Sequence, residues 1–184
     1  MAWTTLAKVK EYLGITDTAS DTLLTDLLAR LQAAAETYLD RKIEQATYTE
    51  QYDGDGTDRL VTLQWPIISV TTLHDDTDRA FGASTLIAAA DYVLYKDRGV
   101  IRLDGLTFAS GIQNVKVVYV AGYATVPTDL AQALIELVAD RFRQKEHQGL
   151  ESLSIGAYSV SFIGEDLPDE VKATLDGYRR TRVA

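Results

Sequence analysis

The side chains best suited to chemistry are the carboxylates of a polar turn, DGDGTD, at residues 53–58. Asp53, Asp55 and Asp58 are spaced much like the first oxygen ligands of a calcium loop. An EF-hand loop also requires glycine at its sixth position and a bidentate glutamate at its twelfth, whereas this chain has Asp58 and Gln64 there. The pattern therefore favours a hairpin turn, and we predict no metal site in it.

A second polar turn carries one histidine among several carboxylates. His74 is followed by Asp75, Asp76 and Asp78, which could in principle surround a cation. A single histidine in a polar turn is more typical of a solvated side chain, and the other histidine, His147, is remote in sequence. The chain has no cysteine, so a zinc site would need unusual ligands. We therefore predict no metal and no cofactor.

Catalytic motifs are also missing from the sequence. It contains no G-x-S-x-G nucleophile elbow, and its glycines lack the Gly-Lys-Ser/Thr ending of a phosphate-binding loop. We therefore predict that the protein is not an enzyme. Aromatic residues of the predicted strands could stack on a sugar or a base, although such residues are usually core or interface. They are Tyr48, Tyr52, Trp65, Tyr92, Tyr95 and Tyr119.

Composition limits the classes of partner. The chain has 184 residues, of which 46% are hydrophobic and 24% charged, and a formal net charge of −9. Such a negative field repels nucleic acid and anionic membrane. No apolar stretch is long enough to cross a bilayer, and the N-terminal residues lack the apolar core of a signal peptide. Absence of cysteine fits assembly in a reducing cytoplasm.

Two helical regions flank a region of strands. Helical spacing predicts a first helix over about residues 5–13, a long second helix from Asp21, a third after Pro127 and a last one after Pro168. Six short strands with intervening turns are predicted from Ala46 to Val120. The apolar stripe of the second helix suits either the protein's own core or a subunit interface.

The order of these segments resembles the head–tail connector family of long-tailed bacteriophages, also called adaptor or head-completion proteins. The resemblance covers nearly the whole chain. The matching stretches are LAKVKEYLGI, LLTDLLARLQAAAETYLDRKI, YDGDGTDRLVTLQWPIISVTTL, DYVLYKDRGVIRL and VKVVYVAGYATVPTDLAQALIELVADRF, followed by the Leu-Pro-led terminal helix. The chain departs from the family pattern around residues 74–84 and 149–162.

The resemblance implies an α+β fold, with a mainly α-helical bundle core and an antiparallel β-rich insertion. It implies a single connector domain over residues 1–184. Within it we expect N-terminal helices at 1–45, the β-rich insertion at 46–126, a core helix at 127–150 and a C-terminal arm and helix at 151–184.

The implied function is structural. Copies would form a homo-oligomeric ring of about twelve subunits beneath the portal protein, in the virion neck, after assembly in the host cytoplasm. The ring would extend the DNA channel and dock the next component, a stopper or tail-side neck protein. Genomic DNA would pass without specific binding, which an acidic lumen favours. Two alternatives stay open: a stopper or tail-completion protein, and a monomeric calcium- or carbohydrate-binding module.

The resemblance also suggests contact residues. Its C-terminal segment typically reaches toward the portal, and an apolar edge with an arginine cluster suits an acidic groove. The predicted portal contacts are Val171, Leu175, Tyr178, Arg179, Arg180 and Arg182. The alternative to a portal contact is that this C-terminal segment is simply solvated. The predicted ring-interface residues, taken from the second helix and the polar turns, are Leu24, Leu28, Leu31, Asp55 and Asp76.

Overall fold

A computed structural model describes residues 3–144, 152–155, 158–161 and 167–179. The chain divides into two compact units. The first, here called the helical unit, comprises Met1–Asp40 and Val126–Ala184, and the second, the sheet unit, comprises Arg41–Thr125. Within the described ranges, no helix combines the length and apolar character needed to cross a membrane.

The helical unit contains four described helices, the first of which has a clear start signal and a clear stop signal. Helix α1 begins after Thr5, whose hydroxyl accepts a hydrogen bond from the Lys8 amide, and it ends at Gly14 in the left-handed conformation. The helices are α1 (Leu6–Leu13), α2 (Asp21–Leu39), α3 (Thr128–Gln144) and α4 (Asp169–Asp176). A short antiparallel hairpin, β7 (Ser152–Ile155) and β8 (Tyr158–Ser161), lies between α3 and α4 in the chain.

Helix α3 is at the centre of this unit because it contacts α1, α2 and α4. Its buried residues recur at helical spacing and form the broad apolar face that such contacts require. They are Leu130, Ala133, Leu134, Ile135, Leu137, Val138 and Ala139. A helix thus follows Pro127, where the sequence predicts one, and within the described ranges α1, α2 and α4 contact it.

The sheet unit consists of two three-stranded antiparallel sheets, ordered β1-β6-β3 and β2-β5-β4. Strand β6 is central in the first sheet, where Tyr119 is in register with Tyr48 of β1 and with Val70 of β3. The strands are β1 (Ala46–Gly54), β2 (Arg59–Val61), β3 (Ile67–Asp75), β4 (Tyr92–Tyr95), β5 (Val100–Leu103) and β6 (Gly111–Ala121).

A hydrophobic core lies between these two sheets. Alternate residues of β6 are buried, as expected for a strand with one face inward. They share one apolar cluster with residues of the other sheet, so the two sheets pack face to face. The buried members are Leu60, Ile67, Leu73, Ile101, Leu103, Phe108, Val115, Val117, Tyr119 and Ala121.

This core corrects the predicted fold class. The prediction of a mainly α-helical bundle core with a β-rich insertion is wrong, because the protein is a mixed α+β structure in which the strands enclose a core of their own. Strand alternation shows that each strand has a buried face, but it does not show what covers that face. Here the inner faces of the two sheets cover each other.

A buried amide joins the ends of two strands and one loop in the sheet unit. The Asn114 Nδ2 donates to Asp75 Oδ1 (3.0 Å) and to the Ala109 carbonyl (2.8 Å), and its Oδ1 accepts from the Gly54 amide (2.8 Å). A Cβ on Gly54 would lie 1.9 Å from the Ala109 oxygen, so only glycine fits there. We call Gly54, Asp75, Ala109 and Asn114 the asparagine clamp.

We predict that Asn114→Ala lowers the free energy of unfolding by about 2–4 kcal/mol, because it removes three hydrogen bonds and leaves buried polar groups without partners. Urea denaturation followed by circular dichroism measures the change. Ile112→Ala in the same strand is the control, since Ile112 is 73% exposed and should change stability by less than about 0.5 kcal/mol. An equal loss of unfolding free energy in both variants would contradict the stabilising role of the asparagine clamp.

Candidate functional site

The carboxylates of the first acidic turn (residues 53–58) accept hydrogen bonds from the turn itself and from neighbouring strands. Each of the three accepts hydrogen bonds from a different donor, and the Thr57 hydroxyl and amide hold the pKa of the Asp55 carboxyl below its usual value. The bonds run from the Gln113 amide to Asp53 (2.7 Å), from the Thr57 amide and hydroxyl to Asp55 (2.9 and 2.7 Å), and from Arg102 Nε to Asp58 (2.7 Å).

The second acidic turn (residues 74–81) is organised in the same way. Asp76 is buried, and its two oxygens accept from the backbone amides of Asp78 (3.0 Å) and Phe81 (2.6 Å). His74 Nδ1 lies 3.3 Å from the Thr85 hydroxyl oxygen. The turn therefore closes on its own carboxylate rather than presenting that carboxylate to solvent.

The two turns do not assemble a shared ligand set. Across the described ranges, no group of three or more histidine, aspartate or glutamate residues is arranged to hold a metal ion. Asp75, the remaining carboxylate next to His74, belongs to the asparagine clamp, where its Oδ2 also accepts from the Ala109 amide (2.7 Å).

We predict that millimolar calcium leaves the melting temperature unchanged, because binding would have to displace the hydrogen bonds that the Asp53, Asp55 and Asp58 carboxylates already accept. Differential scanning calorimetry with calcium and with magnesium, each against a chelator, measures the shift. A specific site at a hundredfold excess over its dissociation constant would add about 2.7 kcal/mol of stability. A calcium-specific rise that Asp55→Asn abolishes would instead favour the binding-module alternative.

A tyrosine–carboxylate cluster that the sequence reading missed lies in the sheet unit. Glu50 Oε2 accepts hydrogen bonds from the hydroxyls of Tyr119 (2.6 Å) and Tyr52. The Tyr52 oxygen accepts from the Leu63 amide (2.7 Å), and the Tyr119 oxygen accepts from the Gln64 amide (3.0 Å). The only sequence signal was the i, i+2 spacing of Glu50 and Tyr52, which places both on one face of β1.

The hydrogen bonds of this cluster stabilise the fold. Burial, and then the hydrogen bond to Glu50, raises the pKa of Tyr52 and that of Tyr119 well above the usual value of about 10. Both hydroxyls therefore stay protonated at physiological pH and act as donors to the carboxylate. Neither is activated as a base or a nucleophile, and together they fasten β1 and β6 to the segment after β2.

We predict a loss of stability above pH 10 that comes from these tyrosines. Their folded-state pKa values are raised, so unfolding releases protons there, and the free energy of unfolding should fall by up to about 1.4 kcal/mol per pH unit for each. Urea denaturation from pH 8 to 11 measures the slope. The Tyr52→Phe/Tyr119→Phe variant should show a shallower slope, whereas Tyr95→Phe, at an exposed position, is the control. An unchanged slope in the double variant would refute this assignment.

The C-terminal helix α4 packs on its own unit. Val171 and Leu175, two of the predicted portal contacts, are buried, and α4 contacts α3 and α2. Any contact of these two side chains with another protein would require α4 to leave its position. Of the remaining predicted portal contacts, Arg180 and Arg182 lie outside the described residues.

The end of α4 is held by two tyrosine–aspartate hydrogen bonds. The Tyr178 hydroxyl lies 2.8 Å from both carboxylate oxygens of Asp129, and the Tyr38 hydroxyl donates to Asp176 Oδ1 (2.8 Å). The Arg179 guanidinium lies 5.2 Å from the centre of the Tyr38 ring, within cation–π range. Arg179 itself is exposed, so its position leaves it open to a partner.

Four of the five predicted ring-interface residues are buried within their own units. Leu24, Leu28 and Leu31 are buried on α2, Asp76 is buried in the second acidic turn, and Asp55 is exposed in the first. A ring contact through these side chains stays a prediction.

Comparison with known proteins gives a consistent result for the family and the fold. A family model described as head completion protein matches residues 2–181. The chain is similar to a solved neck of an empty gene transfer agent particle computed with C6 symmetry, with 22% identity and a TM-score of 0.66. It is also similar to the neck of the native particle computed with C12 symmetry, with 23% identity and a TM-score of 0.61. Both alignments cover 97% of this chain and 90% of the other. No curated protein matches.

Proposed function

This chain belongs to the head completion protein family, and from that membership we propose that it is a structural protein of a virion neck, at the head–tail junction. The family match over residues 2–181 is the observation that carries the proposal, and it confirms the resemblance noted in the sequence. The fold shared with the neck structures of gene transfer agent particles supports the same role. The proposed function is assembly, with no enzymatic activity.

Within the neck, we propose a ring of identical copies directly beneath the portal protein, assembled in the host cytoplasm. The similar neck structures were computed with C6 and C12 symmetry, which are rotational symmetries about a central axis. Closed cyclic symmetry of this kind suits a component that surrounds a channel. On the other side, the ring would offer a docking surface to a stopper or tail-side neck protein.

The charge of the chain supports a channel that DNA passes without being held. With 27 acidic and 18 basic side chains, each copy has a net charge of −9, which a ring multiplies. Lysine and arginine contacts to phosphates strengthen binding to DNA, whereas carboxylates repel the backbone. We therefore propose an acidic lumen that does not bind the genome specifically.

The packing of α4 reduces the number of predicted residues that could contact the portal. Val171 and Leu175 are buried, and the Tyr178 hydroxyl is engaged with Asp129. We therefore propose that the anchor to the portal is the exposed Arg179 together with the arginines that follow it, Arg180 and Arg182. Guanidinium groups form charge-assisted, bidentate hydrogen bonds with carboxylates, so the complementary portal surface would be acidic.

We predict that purified protein added to tailless, portal-bearing heads forms a ring beneath the portal, visible by electron microscopy. A chain ending at Arg179 keeps all of α4 but lacks Arg180 and Arg182. Its apparent affinity for the vertex should fall at least about tenfold, which corresponds to about 1.4 kcal/mol. A control variant with Lys8→Gln and Arg30→Gln loses the same charge elsewhere and should still form the ring.

The possible outcomes separate the alternatives. Equal occupancy by the shortened chain would keep the adaptor role and remove the arginine anchor. Binding only to heads that already carry another neck protein would favour the stopper or tail-completion role. A folded monomer that binds no head preparation would overturn the neck function.

A further inference from the structure

The outer face of the sheet β2-β5-β4 carries exposed apolar side chains. Leu60, Ile101 and Leu94 are in register and face the core, so the neighbouring rows point to the other side. We call those rows the outer sheet face. Its residues are Arg59, Val61, Val93, Tyr95, Val100 and Arg102.

The apolar part of this face runs across all three strands. Val61, Val100 and Tyr95 are in register, and Val93 lies in the adjacent row. Val61 is 39% exposed, Tyr95 44% and Val93 54%, while Val100, between them in register, is buried. Exposed apolar side chains that are contiguous, rather than scattered, mark an interaction surface.

The charged part of the face is an arginine pair. Arg59 and Arg102 are directly opposite in register, an arrangement of like charges that weakens strand pairing unless acid compensates it. Asp58 pairs with Arg102 (2.7 Å), but within the described ranges the guanidinium of Arg59 has no hydrogen-bond or ion-pair partner. The face therefore has one guanidinium available for an external carboxylate.

We propose that the outer sheet face is the surface by which each copy contacts the next copy in the ring, an inference that rests on the proposed function. An apolar centre with tyrosine and arginine is the composition of protein–protein interfaces. A second copy of this chain supplies the complementary charge, because its 27 acidic side chains outnumber its 18 basic ones.

The positive charges of Arg59 and Arg102 also determine whether this face pairs with itself or with a different surface of the next copy. Two outer sheet faces packed on each other would bring two arginine pairs together, and like charges across an interface are repulsive. The face must therefore meet a different, acidic surface of the neighbouring copy. Such a head-to-tail contact repeats by rotation and closes into a ring, whereas a face that pairs with itself stops at a dimer.

The test is whether the Val93→Glu variant forms a ring on portal-bearing heads. This substitution puts a carboxylate into the apolar part of the outer sheet face, where it would meet the acidic surface of the neighbouring copy. We expect loss of the ring while the circular dichroism spectrum and melting temperature stay those of the unchanged chain. Ile112→Glu is the matched control, because it adds the same charge at an exposed apolar position outside the face, and it should form the ring.

A second measurement covers the case in which Val93→Glu alters folding. The chain has no cysteine, so Val93→Cys introduces a single thiol that can carry a photoreactive maleimide. In assembled rings, we expect cross-links from position 93 to peptides of another copy. Cross-links confined to the same chain, or rings formed equally by Val93→Glu, would overturn the interface while leaving the neck function intact. A folded unchanged chain that binds no head preparation would overturn both.

Discussion

The structure of the sheet unit depends on one buried amide. Asn114 uses both polar atoms of its side chain to join the end of β1, the end of β3 and the loop before β6. A buried amide is stable only when its hydrogen bonds are made, so the three segments must occupy fixed positions together. Gly54 is required for the same reason, because a side chain there would collide with the Ala109 carbonyl.

This constraint helps to explain why the carboxylates of the acidic turns accept hydrogen bonds from the protein itself. Both turns start next to residues of the clamp, and their carboxylates then accept hydrogen bonds from nearby amides and side chains. Glu50 is used similarly by the hydroxyls of Tyr52 and Tyr119. These carboxylates are thus engaged within the sheet unit, and the surface that we propose for a partner is the outer sheet face, with its valines, its tyrosine and Arg59.

Local elements were predictable because their signals are local. Thr5 and Gly14 bound α1, Pro168 precedes α4, and alternation identified β6, since caps and side-chain periods act over a few residues. The candidate site was less predictable. The periodicity of α2 shows that Leu24 and Leu28 lie on one face, but the same stripe suits a core or a partner, and the structure buries both residues.

The sequence by itself determined the order of helices and strands, the negative charge and the family, because these depend on residue types and on spacing along the chain. Only the tertiary structure decided that the strands enclose their own core, that Val171 and Leu175 face inward, and that Arg59 lies opposite Arg102. Each of these is a relation between segments distant in sequence, and it depends on register and packing, which no local period specifies.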